Sequence, residues 1–308
     1  MVKLLFFILL IGLFIYGMTL LRSGLMNLSA ESLKKWLVKL TNAPWKGVII
    51  GTLITAVLQS SSAVMIITIG FVSARLLTFP QSIGIILGTN IGTTFTTELI
   101  TFDIEAYLIP LAITGSLLVL LKKKGLRSIG FVLLGISCVF AAMRGFEYFA
   151  GTLKSVEQIN RLLLALDESH LYGVLAGIVI TAIIQSSTAT TGIIMGFLTA
   201  GTMDLDTGIA IMLGSNIGTC VDAYLASIGS GREAKLAAYA HIWLNVIGVI
   251  IFYPFIYWLT EIGLQLAGQA DVQLAHISVI FNVVSSLLVL PFAAQFGRFI
   301  IKIHDQIR

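Results

Sequence analysis

Residues 55–100 and 181–226 align without a gap at a constant offset of 126, and 19 of the 46 positions are identical. The identities gather in two polar islands. One reads Q-S-S-[ST]-A, at Gln59–Ala63 and Gln185–Ala189; the other reads G-[TS]-N-I-G-T, at Gly88–Thr93 and Gly214–Thr219. Chance similarity between two leucine-rich segments would scatter aliphatic matches, whereas shared polar islands mark a duplication. Any fold for this chain must accommodate the same element twice.

The islands lie in apolar surroundings. Hydrophobic residues make up 57% of the 308 residues and charged residues 11%, and the mean hydropathy is +0.99. Soluble domains carry about 25% charged residues, so the chain reads as an all-α polytopic membrane protein. Apolar runs at 4–21, 80–101, 106–121, 126–143, 237–260 and 277–294 have the length of spans. The first run has only Lys3 as a basic leader and is 18 residues long, which favours a retained helix over a signal peptide. Cys138 and Cys220 sit inside apolar segments and give neither a disulfide framework nor a metal spacing. The net charge of +4 is no nucleic-acid signal, because the basic residues flank spans and set orientation there.

Charge also sets the expected topology. Apolar stretches of only about 12 residues flank each Q-S-S island, which suits a re-entrant helical hairpin better than a span. If both hairpins return to their own side, Arg22, Lys34, Lys35, Lys39, Lys46, Arg75, Lys122, Lys123, Lys124, Arg127, Arg232, Lys235, Arg298, Lys302 and Arg308 share one face. Lys3, Arg144, Lys154 and Arg161 fall on the other, with Asp103, Glu105, Asp167, Asp204, Asp206 and Asp271. The positive-inside rule then places the N-terminus outside and the C-terminus in the cytoplasm. Three crossings separate the two islands, an odd number, so the repeats are expected to be inverted, with hairpin tips meeting near the midplane.

Five segments follow. They are 1–45, an N-terminal transmembrane helix and cytoplasmic amphipathic segment; 46–121, the first repeat; 122–172, a connecting helix and outer amphipathic segment; 173–260, the second repeat; and 261–308, a C-terminal transmembrane helix with a basic tail.

At a hairpin tip the N–H groups opening the second half-helix lack partners and carry the positive end of its dipole, an anion site that needs no lysine or arginine. Ser60, Ser61, Ser62, Ser186, Ser187 and Thr188 add hydroxyls, and Gln59 and Gln185 add amides. The paired glycines of the second island predict an unwound helix whose free carbonyls, with Asn90, Thr93, Thr94, Asn216 and Thr219, form a hard-oxygen site suited to Na⁺. Two acids, Glu98 and Asp222, stand just beyond these islands and are ion-site candidates as intramembrane ionisable groups. No basic residue is expected in the core to pair with them, so an anion held at the tips would need Na⁺ beside it.

Small polar residues also serve simply to let membrane helices approach. That account fits the glycines of 12–24 and 115–135; it does not explain islands that recur in pairs. His241 and Asn245, echoed by His276 and Asn282, could be ligands or interhelical hydrogen-bonders. An intramembrane serine hydrolase using Ser60 or Ser186 with His241 lacks any nucleophile elbow. A non-transporting scaffold would leave the islands without a purpose.

The duplicated Q-S-S-S and G-x-N-I-G-T islands, followed by AAYAHIWLNVIGVIIFYP at 237–254, resemble the type II sodium/phosphate cotransporter family and its bacterial relatives. The resemblance covers about residues 45–300. It implies an inverted-repeat symporter, not an enzyme, with no cofactor, that moves inorganic phosphate with Na⁺ by alternating access. Gln59 to Ser62 and Gln185 to Thr188 match the motifs at the phosphate site, and Asn90, Thr93, Asn216 and Thr219 the islands that follow. Two departures stand out. The animal members continue the first island as T-N-T where this chain has Thr96, Thr97 and Glu98, and Asp222 occupies a position expected to be threonine. A carrier for another small solute, using Glu98 and Asp222 as a Na⁺ or H⁺ site, is the alternative. The expected setting is a bacterial inner membrane, with the lipid bilayer as partner and a homo-oligomer left open.

Overall fold

The computed structural model describes residues 2–39, 43–153 and 157–304. Lys154 and Arg308 of the charge pattern lie outside the described residues, as do the side chains of Lys34, Lys35, Lys39 and Asp167. Among the described residues every regular element is helical, so the fold is all-α. The first half comprises α1 (Val2–Lys39), α2 (Pro44–Leu58), α3 (Ser61–Ser73), α4 (Phe79–Leu99), α5 (Leu108–Val119) and α6 (Lys124–Leu153). After α7 (Glu157–Glu168) come α8 (His170–Ile184), α9 (Ser187–Thr199), α10 (Leu205–Gly218) and α11 (Cys220–Ser227). The chain ends with α12 (Arg232–Phe252), α13 (Ile256–Leu266), α14 (Ala270–Val289) and α15 (Ala293–Ile303).

Among the described residues, five stretches are long and apolar enough to cross a bilayer: Lys3–Ser29, Lys124–Leu153, Leu205–Ser227, Arg232–Leu266 and Ala270–Ile303. The last two are each interrupted by a 3₁₀ turn, Tyr253–Phe255 and Leu290–Phe292, centred on Pro254 and Pro291. Proline removes a ladder hydrogen bond and clashes with the preceding turn, so the helix must adjust there.

The expected unwinding at the second islands does not occur. Helix α4 runs through Gly88, Asn90 and Gly92 without a break. At the equivalent place Thr219 separates α10 from α11, but it keeps helical dihedrals (φ −61°, ψ −24°) and its N–H bonds to the Ser215 carbonyl at 3.0 Å. The glycines serve close packing instead. A Cβ at Gly88 would lie 2.3 Å from the Val48 carbonyl oxygen, and one at Gly214 would lie 2.0 Å from that of Val174. Gly47 and Gly51 on α2 face Gly84 and Gly88 on α4, and Gly177 on α8 meets the α10 backbone at Ile211. This is the small-xxx-small seam by which membrane helices bring their backbones together.

The register of that seam fixes direction. Gly47 lies against Gly84, Gly51 against Gly88, and Thr55 against Gly92, so α2 and α4 run parallel. Gly173 against Ala210 and Thr181 against Gly218 make α8 parallel to α10. The chain must therefore go out along α2, return along α3, and go out again along α4; the second unit repeats this path.

The two units point in opposite directions. The start of α4 lies beside the end of α11: the Phe79 N–H donates to Glu233 at 3.3 Å, and Arg75 and Thr78 share a cleft with Gly231 and Arg232. The segment after α4, Ile100–Glu105, shares a cleft with Leu198 and Thr199, at the end of α9. Contacts are reciprocal, α3 on α11 and α9 on α4. One end of the molecule is thus basic; the other carries Asp103, Glu105, Glu147 and Asp271, three of which surround Arg144 at 2.8–3.3 Å. Helix α1 spans between them, antiparallel to α6, with Gly17 against Gly135 and Gly24 against Ser128.

Candidate functional site

Each Q-S-S island forms a sharp turn between two helices. Gln59 and Gln185 close α2 and α8 in the left-handed conformation, at φ 53° and 57°. A non-glycine residue there costs about 1 kcal/mol or more, and it persists only where the surroundings enforce it. Ser60 and Ser186 follow in extended conformation and cap α3 and α9, their hydroxyl oxygens accepting the N–H of Ala63 at 3.1 Å and of Ala189 at 3.2 Å. Capping uses a lone pair and leaves each hydroxyl proton free to donate.

The two turns face each other. Gln59, Ser60, Ser61 and Ser62 from one and Gln185, Ser186, Ser187 and Thr188 from the other enclose a cavity of about 40 Å³ whose lining is entirely polar. A water needs roughly 10–15 Å³ of such space, so the cavity has room for a few waters. All eight residues expected at the substrate site are brought together here.

The ninth lining residue is Arg22. It was expected among the flanking charges because the apolar run ends at Leu21; instead α1 continues past it and carries it between the tips. The site has a guanidinium after all. Among the described residues its Nε is buried with no hydrogen-bond partner, and so is the Oε1 of Gln59, whose Nε2 is spent on the Ala56 carbonyl at 2.5 Å. Buried polar atoms are almost always paired, and an orphaned one costs about 1–3 kcal/mol. Both orphaned atoms belong to residues that line this cavity.

Asp222 stands next to this cavity. Its carboxylate accepts the Ser62 hydroxyl at 2.5 Å and is attracted by Arg22. With Arg22, Ser62, Ala63, Ile66 and Gln185 it lines a second, wider cavity of about 410 Å³. Arg22, Ser62 and Gln185 line both cavities, so the two are neighbours. The expectation that Asp222 lacks a basic neighbour is therefore corrected.

The other residues expected at an ion site lie elsewhere or are engaged. Glu98 lines neither cavity; it bonds to Nδ1 of His276 at 2.8 Å, near the end of α4. Asn90 donates to Asn245 at 3.0 Å, while Asn216 donates to the Met212 carbonyl at 2.9 Å. Thr93, Thr94 and Thr219 donate to the carbonyls of Thr89, Ile91 and Ser215 within their own helices. With α4 unbroken, the carbonyls of 88–94 serve its ladder and not a cation. His241 is buried, and neither tip serine bonds a histidine among the described residues.

This chain has relatives among known proteins. The sequence profile of the Na⁺/Pi-cotransporter family matches it twice in succession, over residues 13–148 and 150–286, one match per repeat. YqeW of Bacillus subtilis (strain 168), an uncharacterized protein, is 40% identical over 300 residues, covering 97% of this chain and 98% of YqeW. YjbB of Escherichia coli (strain K12), whose provisional name is inorganic phosphate export protein, is 24% identical over 291 residues; that is 94% of this chain but 53% of YjbB. Sodium-dependent phosphate transport protein 2A of Ovis aries is 31% identical over 87 residues, 27% of this chain and 14% of that protein. No solved structure matches. The twofold match across nearly the whole chain places it as a multi-pass membrane protein of the Na⁺/Pi-cotransporter family.

Proposed function

We propose that the chain is a Na⁺-coupled carrier of inorganic phosphate, binding both ions between the two hairpin tips. The observation that carries this reading is the polar cavity on which Arg22, both glutamines and the hydroxyls of the two tips converge. Its lining residues offer donors to an oxyanion and oxygen lone pairs to a cation. Arg22, the free hydroxyl protons of Ser60 and Ser186, and the N–H groups opening α3 and α9 all favour the oxyanion. Gln59 Oε1 and the hydroxyl oxygens offer hard ligands to Na⁺.

Charge points the same way. Arg22 and Asp222 cancel, so an anion entering alone would leave net negative charge in apolar surroundings, a cost of several kcal/mol. A cotransported cation removes it. The family's other members named for sodium-dependent phosphate transport are in keeping with this pairing.

The tips come from oppositely directed units with reciprocal contacts, which supports alternating access by rocking one unit against the other around a fixed site. Hairpins that leave and return on the same side would be re-entrant in a bilayer. With the basic end cytoplasmic, the wide cavity beside Asp222 adjoins the tips while Phe14, Met143 and Gly192 pack together on the acidic side.

The test is phosphate binding to the purified protein by calorimetry, in Na⁺ and in choline. Binding that strengthens at least tenfold in Na⁺ supports the reading; equal affinity in the two salts overturns the coupling.

A further inference from the structure

The geometry points to Asp222 as the residue that selects oxyanions carrying a proton, phosphate and arsenate, against those that carry none, such as sulfate. The inference rests on the phosphate site proposed above and gives its selectivity a physical cause.

Hydrogen phosphate and sulfate dianions match in charge, shape and size. They differ in one proton. A site made only of donors, such as a guanidinium, hydroxyls and helix N–H groups, grips both equally well. Discrimination needs an acceptor that cannot donate, placed where the anion's oxygens arrive. Such a group accepts a P–OH proton and confronts sulfate with a lone pair against a lone pair, which is selection by repulsion.

Asp222 meets these requirements. An ionised carboxylate is acceptor-only. One oxygen, Oδ2, takes the Ser62 hydroxyl at 2.5 Å, and Ser62 is itself part of the tip cavity. Asp222 lines the wider cavity with Arg22 and Gln185, which also line the tip cavity. Asp222 and Arg22 both line that wider cavity, and among the described residues no other charged side chain does. Asp222 therefore sits on the same cavity as Arg22, the group that draws an anion, and one hydrogen bond away from the tip cavity.

A carboxylate here does more than offset the Arg22 charge. It weakens the attraction of Arg22 for any anion, where a hydroxyl at 222 would not. It also adds a penalty for anions that bring no proton.

Sites built around a specific hydrogen-bonding partner reject an analogue lacking it by 10⁴–10⁵ at best, so a preference of about a hundredfold or more for phosphate over sulfate is well within reach. Replacing Asp222 by Asn keeps the shape and introduces an amide that donates, which welcomes both anions.

The experiment is competition against radiolabelled phosphate bound by the full-length protein in Na⁺, with arsenate and sulfate as competitors, for the native chain and for Asp222→Asn and Asp222→Glu. In the native chain arsenate should compete near parity, and sulfate should fail at a hundredfold excess. In Asp222→Asn sulfate should compete within tenfold of phosphate, while Asp222→Glu keeps the exclusion. Sulfate competing at parity in the native chain overturns the inference, even if the variants do not fold. So does exclusion of sulfate by Asp222→Asn, or a variant that alters only the Na⁺ requirement, which would make Asp222 a cation ligand. Failure of the native chain to bind phosphate at all overturns the phosphate site itself and this inference with it.

Discussion

The Ser62 hydroxyl donates to the Asp222 carboxylate at 2.5 Å, joining the first hairpin tip to the second unit across 160 residues of sequence. With Arg22 alongside, three elements that are remote in the chain converge on the wider cavity. The cavity is close to neutral before any ion enters. Its energetics are therefore set by single charges and single hydrogen bonds, each of which can be removed separately.

Arg22→Gln removes the one guanidinium between the tips while keeping a polar side chain of similar reach. A hydrogen bond to a charged group contributes about 1.5–3 kcal/mol, which corresponds to roughly a 10- to 100-fold change in affinity. The KM for phosphate should rise by that factor. Phosphate titration of uptake rates measures it, with circular dichroism checking the fold.

Gln59→Leu removes the orphaned Oε1 and the Nε2 bond to Ala56 together. If Oε1 serves the cation, the Na⁺ concentration for half-maximal transport should rise at least about fivefold, more than the KM for phosphate does. Ser186→Ala, which removes a donor on the opposite tip, should act in the reverse sense, chiefly on phosphate. Two titrations, one of each ion, separate these effects.

The glycine seams give a stability prediction. At Gly88 and Gly214 an added methyl would overlap a backbone carbonyl oxygen, whereas at Gly70 nothing lies within 4 Å. Overpacking costs typically 1–3 kcal/mol and more when backbone must move. Gly88→Ala and Gly214→Ala should lower the Tm by several degrees in detergent, and Gly70→Ala should leave it unchanged or raise it slightly.

A pH dependence follows at the basic end. Trp243 Nε1 donates to His304 Nε2 at 3.0 Å, and His304 stacks on Tyr239. Partial burial lowers the His304 pKa from its ordinary value of 6.5. A group whose folded pKa is depressed contributes stability above its unfolded pKa and loses it as pH falls through the folded one. Docking of the α15 end on α12 should therefore hold at neutral pH and weaken as pH falls below about 6.5. The Trp243 fluorescence, assigned by a Trp243→Phe control, should shift over that window and stay flat in His304→Phe.

How much of this was legible in the sequence depends on which physical signal each residue gives. Gln59–Ser62 and Gln185–Thr188 were legible because polar residues in an apolar run, repeated at one offset, have few explanations. Their convergence followed from counting charges beside spans. Arg22 was misplaced because it immediately follows an apolar run, where a basic residue ordinarily marks the membrane edge; nothing local signals that α1 continues inward. The glycines of G-x-N-I-G-T were misread because glycine serves both unwinding and close approach. Their partners Gly47 and Gly51, themselves matched 126 residues later by Gly173 and Gly177, would have decided for packing. The Glu98–His276 pair joins α4 to α14, a long-range contact that periodicity does not reveal.

The central claim is that two opposed tips carry phosphate together with Na⁺. Proteoliposomes containing the purified chain, given an inward Na⁺ gradient and radiolabelled phosphate outside, test it most directly. The account predicts phosphate accumulation that collapses when choline replaces Na⁺ and falls at least tenfold in Arg22→Gln. Accumulation indifferent to Na⁺, or undiminished in that variant, would contradict it.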